Sequence, residues 1–398
     1  MITVEEAEAI ILQHTLKPTP ELVPLEEALG RVLAEDLFAD RDFPPFDRVT
    51  MDGIALAYAT LAQGQTRFQI AMTVAAGQPQ AILNDITQCV EVMTGAMLPV
   101  NTDVVVRYED LHIENNIATI NVIPEKSGIN IHTRGADKKA TELLVAKGRR
   151  ITPAEIGVAA TIGKHKVWVQ KRVSAIVIAT GEEIIPITET PLPHQIRTSN
   201  SYALQAALKS WGVAADIVLL PDNQLVIEAQ LQQFLQSYDV LVLSGGVSAG
   251  KFDFVPQALA NQGVQQLFHK VSQRPGKPFW FGIKQNTGKV VFALPGNPVS
   301  TFMCLHRYFR PWLDASLGLP TQRLMAELGK NFVVKFPLTF FLQVKLEETA
   351  SGIPKAIPIE GNGSGDLVSL TATDAFMELP LGTGTFREGE KFVIWKYR

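Results

Sequence analysis

Cysteine, excess basic charge, paired histidines and long apolar runs are all scarce or missing in this chain of 398 residues. The only two cysteines, Cys89 and Cys304, lie far apart within apolar stretches, which predicts buried reduced thiols rather than a disulfide framework or a zinc site. The seven histidines show no ligand-type spacing, so a transition-metal site is not expected. Lysine and arginine number 36 against 40 aspartates and glutamates, and the net charge of −4 offers no global positive field to a nucleic-acid backbone or an anionic membrane. Any anionic ligand must therefore be held locally. No apolar run approaches the roughly 18 residues that would span a bilayer. The opening MITVEEAEAIILQH places glutamates where a secretory signal needs a basic start. A soluble, cytoplasmic protein is the expectation, and no repeat or low-complexity tract is evident.

What is present resembles ordinary globular composition, 46% hydrophobic and 19% charged, at a length that suggests more than one core. Thr3 and Glu6 have capping-box spacing before Ala7, Ile10 and Ile11, predicting an opening amphipathic helix. A second helix is expected over Leu25 to Leu37. From about Asp42 to Lys139 the texture is β-rich: Phe68, Ile70, Met72 and Val74 alternate, and Ile113, Ile117, Ile120 and Val122 flank an Asn115-Asn116 turn. Thr152, Pro153 and Glu155 start another helix that Gly163 ends, which would make the β-rich module an insertion into a helical N-terminal part.

Between Val169 and Leu319, short apolar strands alternate with helical stretches. Ala175 to Thr180, Ile217 to Leu220, Val240 to Leu243 and Val290 to Leu294 read as strands buried on both faces. The faces Leu204, Ala207, Leu208, Trp211 and Ile227, Leu231, Phe234, Leu235 read as crossover helices, so a parallel sheet follows. The tail from Pro320 carries FVVKF, FFLQVKL and KFVIWKY and reads as a small barrel or sandwich. The expected division is 1–41 with 140–168, 42–139, 169–319 and 320–398.

Ligands of a parallel sheet bind beyond the carboxyl ends of its strands. After the four strands come Thr180-Gly181-Glu182-Glu183, then Asp222, then Ser244-Gly245-Gly246 running on through Ser248 and Gly250 to Asp253, and finally Pro295-Gly296-Asn297-Pro298-Val299-Ser300. Glycines and helix-start amides suit phosphate oxygens, and carboxylates suit a Mg²⁺ bridging them. Singly, each has a plainer reading: a Ser-Gly turn, a helix cap at Asp222, solvated charge at Glu182 and Glu183. Their placement on one edge of one sheet favours a phosphate or pyrophosphate cradle. Arg274-Pro275-Gly276-Lys277-Pro278 adds two cations, suited to an oxyanion, on a turn that could otherwise be a surface hairpin. Lys270 is a further candidate. The β-rich module holds three polar clusters, Pro44 to Gly53, Met93 to Ala96 and Arg134 to Asp137, which are turns unless the fold brings them to a site.

PPFDRVTMDGIA, VMTGA, the TGEE loop, SNSYAL, SGGVSAGKFDFV, RPGKPFWFG and LPGNPVS occur in the order that identifies the chain as resembling molybdopterin molybdenumtransferases, the MoeA and gephyrin E-domain family. The resemblance covers nearly the whole chain. It implies an α/β multidomain protein: a helical N-terminal part, a β-rich inserted domain, a three-layer α/β/α molybdopterin-binding-like domain and a C-terminal β domain, assembled as a homodimer. It implies that adenylylated molybdopterin binds with Mg²⁺, that molybdate joins the dithiolene, and that AMP leaves. Glu183, Asp222 and Asp253 match acidic residues around the metal and pyrophosphate, while Ser248, Arg274, Lys277 and Ser300 match molybdate and phosphate contacts. Asp52, Thr94 and Asp137 match positions that the partner subunit brings to the cleft.

With Lys277, these acidic and inserted-domain positions form the expected catalytic set. Thr180, Gly181, Ser199, Asn200, Ser244, Gly245, Gly246, Gly250, Pro295, Gly296, Asn297 and Pro298 complete the expected binding set, and Ser369 matches a serine of the C-terminal domain. Two departures stand out. Arg274 replaces a lysine common in relatives, and the stretch FPLTFFLQV lacks the arginines of a G-R-x-x-F-x-R-like segment. The molybdopterin adenylyltransferase and apo-molybdoenzymes are the implied protein partners. Other readings are that adenylyltransferase itself, against which the domain content argues, and a non-catalytic scaffold of the same family, against which the carboxylate set argues.

Overall fold

The computed structural model describes residues 1–246 and 254–398. Its contacts divide the chain into two compact units, residues 1–23, 30–34 and 168–398, and residues 24–29 and 35–167. The chain begins with α1 (Val4–Leu12), capped reciprocally by Thr3 and Glu6 as the spacing predicts. The helix expected over Leu25 to Leu37 is absent. Only Leu25–Glu27 makes a 3₁₀ turn, and Gly30 then takes φ 75°. The following backbone is committed to extended pairing, with Ala34 N–H donating to Trp168 O at 2.8 Å, and the Arg31 guanidinium holds Gln170 O at 2.7 Å.

In the unit containing residues 35–167, β1 (Arg48–Val49), β2 (Gly53–Leu56), β3 (Arg67–Val74), β4 (Cys89–Val92), β5 (Val104–Arg107), β6 (Leu111–Glu114), β7 (Ile117–Ile120) and β8 (Ile131–His132) confirm the β-rich reading. Six of them form one sheet in the order β5-β2-β4-β3-β7-β6. The Asn115-Asn116 turn has φ 48° and 61°, the left-handed pair that a two-residue hairpin requires. Helix α2 (Pro153–Thr161) follows, with its capping box on Thr152 and Glu155. Gly53 lies in β2 between β4 and β5, where a Cβ would come 1.9 Å from Val106 O. A backbone oxygen in the next strand cannot step aside. Gly53→Ala should therefore lower stability by about 3 kcal/mol, seen as an earlier unfolding transition. A loss under about 1 kcal/mol would contradict that packing.

The other unit contains β9 (Ser174–Thr180), α3 (Ser199–Ser210), β10 (Ala214–Leu220), α4 (Gln224–Ser237), β11 (Val240–Ser244), α5 (Val255–Asn261), β12 (Gln265–His269), β13 (Gln273–Arg274), β14 (Trp280–Lys284) and β15 (Lys289–Leu294). The sheet order is β10-β9-β11-β15-β14-β12, with the first four strands parallel and the last two antiparallel additions. Alternate residues feed opposite faces. Val177, Val242 and Phe292 join one core with Leu204 and Leu208 of α3. Ile178, Leu243 and Ala293 join the other with Leu231 of α4 and Leu259 of α5. This gives helix, sheet and helix layers. The expectation that Ile217 to Leu220 is buried on both faces fails except at Leu220, because β10 is an edge strand with one neighbour.

Helix α6 (Pro298–Cys304) runs into a π-helical turn at Leu305–Phe309 and on into α7 (Arg310–Ser316). Pro311 explains the wider turn, since it has no N–H to offer the previous turn and its ring crowds that carbonyl. Beyond it, β16 (Leu324–Leu328), β17 (Phe332–Glu347), β18 (Lys355–Pro358), β19 (Ala375–Phe386) and β20 (Lys391–Lys396) pair in a ring, β17-β18-β16-β20-β19-β17, which is a closed small barrel. FVVKF and FFLQVKL are one strand rather than two. The register shifts between Val334 and Leu338, so Pro337 sits at an irregularity where a missing donor is tolerated. No helix among the described residues is long and apolar enough to cross a membrane.

Candidate functional site

Parallel register brings the strand ends together: Ala179 of β9 pairs with Ser244 of β11, and Ser244 with Leu294 of β15. Thr180, Gly245-Gly246 and Pro295-Gly296 therefore leave the sheet side by side. Asn200, in the first turn of α3, ties two of these exits by donating from Nδ2 to Ser244 Oγ at 3.1 Å and to Gly296 O at 2.7 Å. Gly245 N–H donates to Leu294 O at 3.3 Å. The result is a cleft of about 360 Å³ edged by Thr180, Glu183, Ser199 and Pro298, with Gly181 in the same loop. Arg197 also lines it, a cation that no spacing rule singles out.

A second cavity, about 800 Å³, shares Pro278, Pro295, Gly296 and Asn297 with the first, so the two form one trough. Arg274, Lys277 and the buried Ser300 line it. The turn carrying the cations is anchored from below. Gln273 is fully buried, donates from Nε2 to Gly276 O at 2.9 Å, and accepts a hydrogen bond from the Tyr308 hydroxyl. Gly276, at φ 88°, has no room for a side chain: a Cβ would sit 2.8 Å from Cys304 Sγ and 2.9 Å from Gln273 Nε2. Sequence reasoning missed Gln273 and Tyr308 because neither carries charge or a motif. Burial holds the Cys304 thiol well above its ordinary pKa, and the same cause pushes Cys89 up to about 12. Both thiols are free and buried, as expected.

Strand β17 pairs in parallel with β13, Arg274 opposite Phe340, and contributes Leu338, Phe340, Phe341, Leu342 and Gln343 to the lining, in the stretch that lacks arginine. The Arg274 guanidinium lies 5.3 Å from the Phe336 ring centroid. Ser369 does not line the cavity. Its Oγ donates to Gln343 Oε1 at 2.9 Å, which places it one residue behind the wall. Asn297 Nδ2 reaches Ser364 Oγ at 2.9 Å, and Val299 N–H reaches Ser364 O at 3.0 Å, fastening the last strand-end loop to the barrel's loop.

Asp222 follows edge strand β10 at the same end of the sheet but is not among the residues lining the trough. It does not cap α4, because Asn223 does, accepting from Val226 N–H at 3.2 Å. Ser248, Gly250 and Asp253 lie outside the described residues. Lys270, at φ 74°, donates its backbone N–H to Phe279 O at 2.9 Å, helping close the RPGKP turn from behind.

Asp52, Thr94 and Asp137 belong to the other unit, and there the three polar clusters converge. Strand β1 pairs with β8 and bridges to Met97, while Gly95 N–H donates to Val49 O at 2.9 Å. Asp52 Oδ1 accepts from the Thr94 backbone N–H at 2.6 Å and the Thr94 hydroxyl at 2.7 Å. Those donors, the backbone one foremost, hold the Asp52 carboxyl below its ordinary pKa. Asp137 Oδ1 lies 3.0 Å from His132 Nε2, and His132 Nδ1 lies 3.1 Å from an Arg48 guanidinium nitrogen. His132 was not legible as a site residue, since it reaches Asp137 only through the loop's fold.

Family models match in order along the chain: the MoeA N-terminal region (domain I and II) over residues 2–163, a probable molybdopterin binding domain over 176–315, and the MoeA C-terminal region (domain IV) over 326–397. The chain is 39% identical over 399 residues to a Synechocystis protein named molybdopterin molybdenumtransferase, covering 100% of both. It is 30% identical to a Staphylococcus epidermidis protein of the same name, covering 98% of this chain and 94% of that one. A solved structure of a molybdopterin biosynthesis MoeA protein from Pyrococcus horikosii superposes with a TM-score of 0.84 at 30% identity, covering 100% of this chain and 99% of that one. Three regional models in order, full-length relatives and a shared fold lead to one conclusion: the chain belongs to the MoeA family.

Proposed function

We propose that the chain is a molybdopterin molybdenumtransferase of molybdenum-cofactor biosynthesis, inserting molybdate into adenylylated molybdopterin with Mg²⁺-dependent release of AMP. The observation that carries this reading is the single trough in which a strand-end cradle of glycines and hydroxyls meets a cation-bearing turn. Thr180, Ser199, Ser244 and the glycines at 181, 245, 246 and 296 suit the phosphate and pyrophosphate oxygens, which backbone amides and hydroxyls can hold without net charge. Arg274, Lys277 and Ser300 suit the oxyanion, with guanidinium and ammonium offering charge-assisted hydrogen bonds. Ser369 supports that end through Gln343.

Mg²⁺ takes one or two carboxylates together with phosphate oxygens, and Glu183 on the cleft wall fits that donor pattern. In this reading Glu183, Asp222 and Asp253 hold the ion, which would neutralise charge building on the pyrophosphate as its bond breaks. The protein's own groups fix the phosphates and keep the oxyanion beside the dithiolene, so that two reactants share one trough. The chain would act in the cytoplasm, with the adenylyltransferase as supplier and apo-molybdoenzymes as recipients. Its working regions would be 1–41 with 140–168, 42–139, 169–319 and 320–398.

Polar functional positions fall in two compact units, which supports a homodimer whose partner supplies Asp52, Thr94 and Asp137 to the trough. Co-expressing an Asp52→Ala chain with an Asp222→Ala chain should restore part of the AMP release that each homodimer lacks. Full activity in a strictly monomeric protein would overturn the shared site.

A further inference from the structure

The structure assigns His132 as the positioning residue for Asp137, with Arg48 fixing its tautomer. This deepens the reading of Asp137 as a site residue and rests on it. A guanidinium has only donors, so His132 Nδ1, 3.1 Å from Arg48, must accept. The ring proton is therefore on Nε2 and points at Asp137 Oδ1, 3.0 Å away. Backbone pairing makes this chain of contacts rigid at its root, because Arg48 and His132 are direct partners in the β1–β8 ladder.

Asp137 needs such a partner. Its side chain is 61% exposed, whereas that of His132 is 29% exposed. It stands on the Thr133–Asp137 loop, and among the described residues His132 is its one side-chain hydrogen-bond partner. A carboxylate in that position would otherwise sample several rotamers in water. One hydrogen bond from a ring set in a strand fixes Oδ1 and leaves the rest of the exposed carboxylate free for a ligand. The same device orients ligands around metal centres, where losing the orienting partner costs about tenfold to a hundredfold.

The His132→Gln side chain can imitate this tautomer, its amide nitrogen donating to Asp137 and its oxygen accepting from Arg48. The His132→Phe side chain keeps the ring's shape and offers neither. His132→Phe should lower kcat for AMP release about tenfold with little change in KM for the pterin, and His132→Gln should retain most of the rate. In an Asp137→Asn background, His132→Phe should cost nothing further, because the group it positions is already altered. ¹⁵N-histidine NMR of the intact protein, with His132→Gln identifying the signal, should find the Nε2–H tautomer, a readout independent of activity. An Nδ1–H tautomer, equal losses in the His132→Phe and His132→Gln variants, or an undiminished effect of His132→Phe in the Asp137→Asn background would each overturn the assignment. Full activity of Asp137→Asn with the Nε2–H tautomer in place would instead sink the reading of Asp137 as a site residue, and the positioning role with it.

Discussion

Lys277→Ala is expected to raise the molybdate concentration needed for half-maximal AMP release by about tenfold to a hundredfold, the worth of one charge-assisted contact of roughly 1.5–3 kcal/mol. The physical reason lies in the asymmetry of the larger cavity. Its cations, Arg274 and Lys277, sit on one turn, and β17, the strand paired beside that turn, presents Leu338, Phe340, Phe341 and Leu342. With no arginine on that strand, Arg274 is the one other cation among the described residues that line the cavity. Arg274 is already leaning on Phe336. Pterin binding should be nearly unchanged, since the strand-end cradle is a separate part of the trough. A molybdate titration of the variant checks this, and an unshifted midpoint would remove Lys277 from the oxyanion site.

The second large effect is on stability. Arg307→Ala should cost on the order of 3–5 kcal/mol, because it strips a partner from two largely buried carboxylates. Arg307 is 1% exposed within the π-helical turn. It donates to Glu8 of α1 at 3.0 Å and to Glu378 of β19 at 2.8 Å, and its guanidinium carbon lies 4.4 Å from the Trp395 ring centroid. One side chain thus joins the first helix, the helix after the last parallel strand and the barrel. Arg323 still reaches Glu8, at 2.9 Å, and Trp395 Nε1 still reaches Glu378, at 2.7 Å. These residual bonds soften the loss without replacing the charge. Denaturant unfolding measures it, and a shift below about 1 kcal/mol would show that the network contributes little.

The parts of this fold that could be read from sequence are those where a local pattern matches the final environment. Strands at Ala175, Val240 and Val290 are apolar throughout because helices cover both faces of the sheet, and strand direction then locates Thr180, Ser244 and Pro295 at one edge. The Leu25 to Leu37 segment misled because its apolar residues serve extended pairing, a choice made by distant backbone at Trp168 and Gln170. FVVKF and FFLQVKL read as separate stretches, yet an irregular register lets β17 run through Pro337 between them.

For the site, charge and glycine made the upper surface of the RPGKP turn visible. Its floor, Gln273 held by Tyr308, depends on a hydrogen bond spanning 35 residues between types that no spacing rule marks. In the other unit the polar clusters converge through β1 and β8, two residues each, too short to leave a periodic trace. His132 therefore emerged only with the fold, and so did the contact that Arg48, already inside the Pro44 to Gly53 cluster, makes with it.

The transferase reading stands or falls most directly on AMP release from adenylylated molybdopterin by the purified protein. With Mg²⁺ and molybdate both present, AMP should appear together with molybdenum cofactor, and omitting either should suppress it. Binding of the nucleotide-bearing pterin without AMP release, whatever the metal or molybdate supplied, would contradict the enzyme and leave a cofactor-binding scaffold in its place.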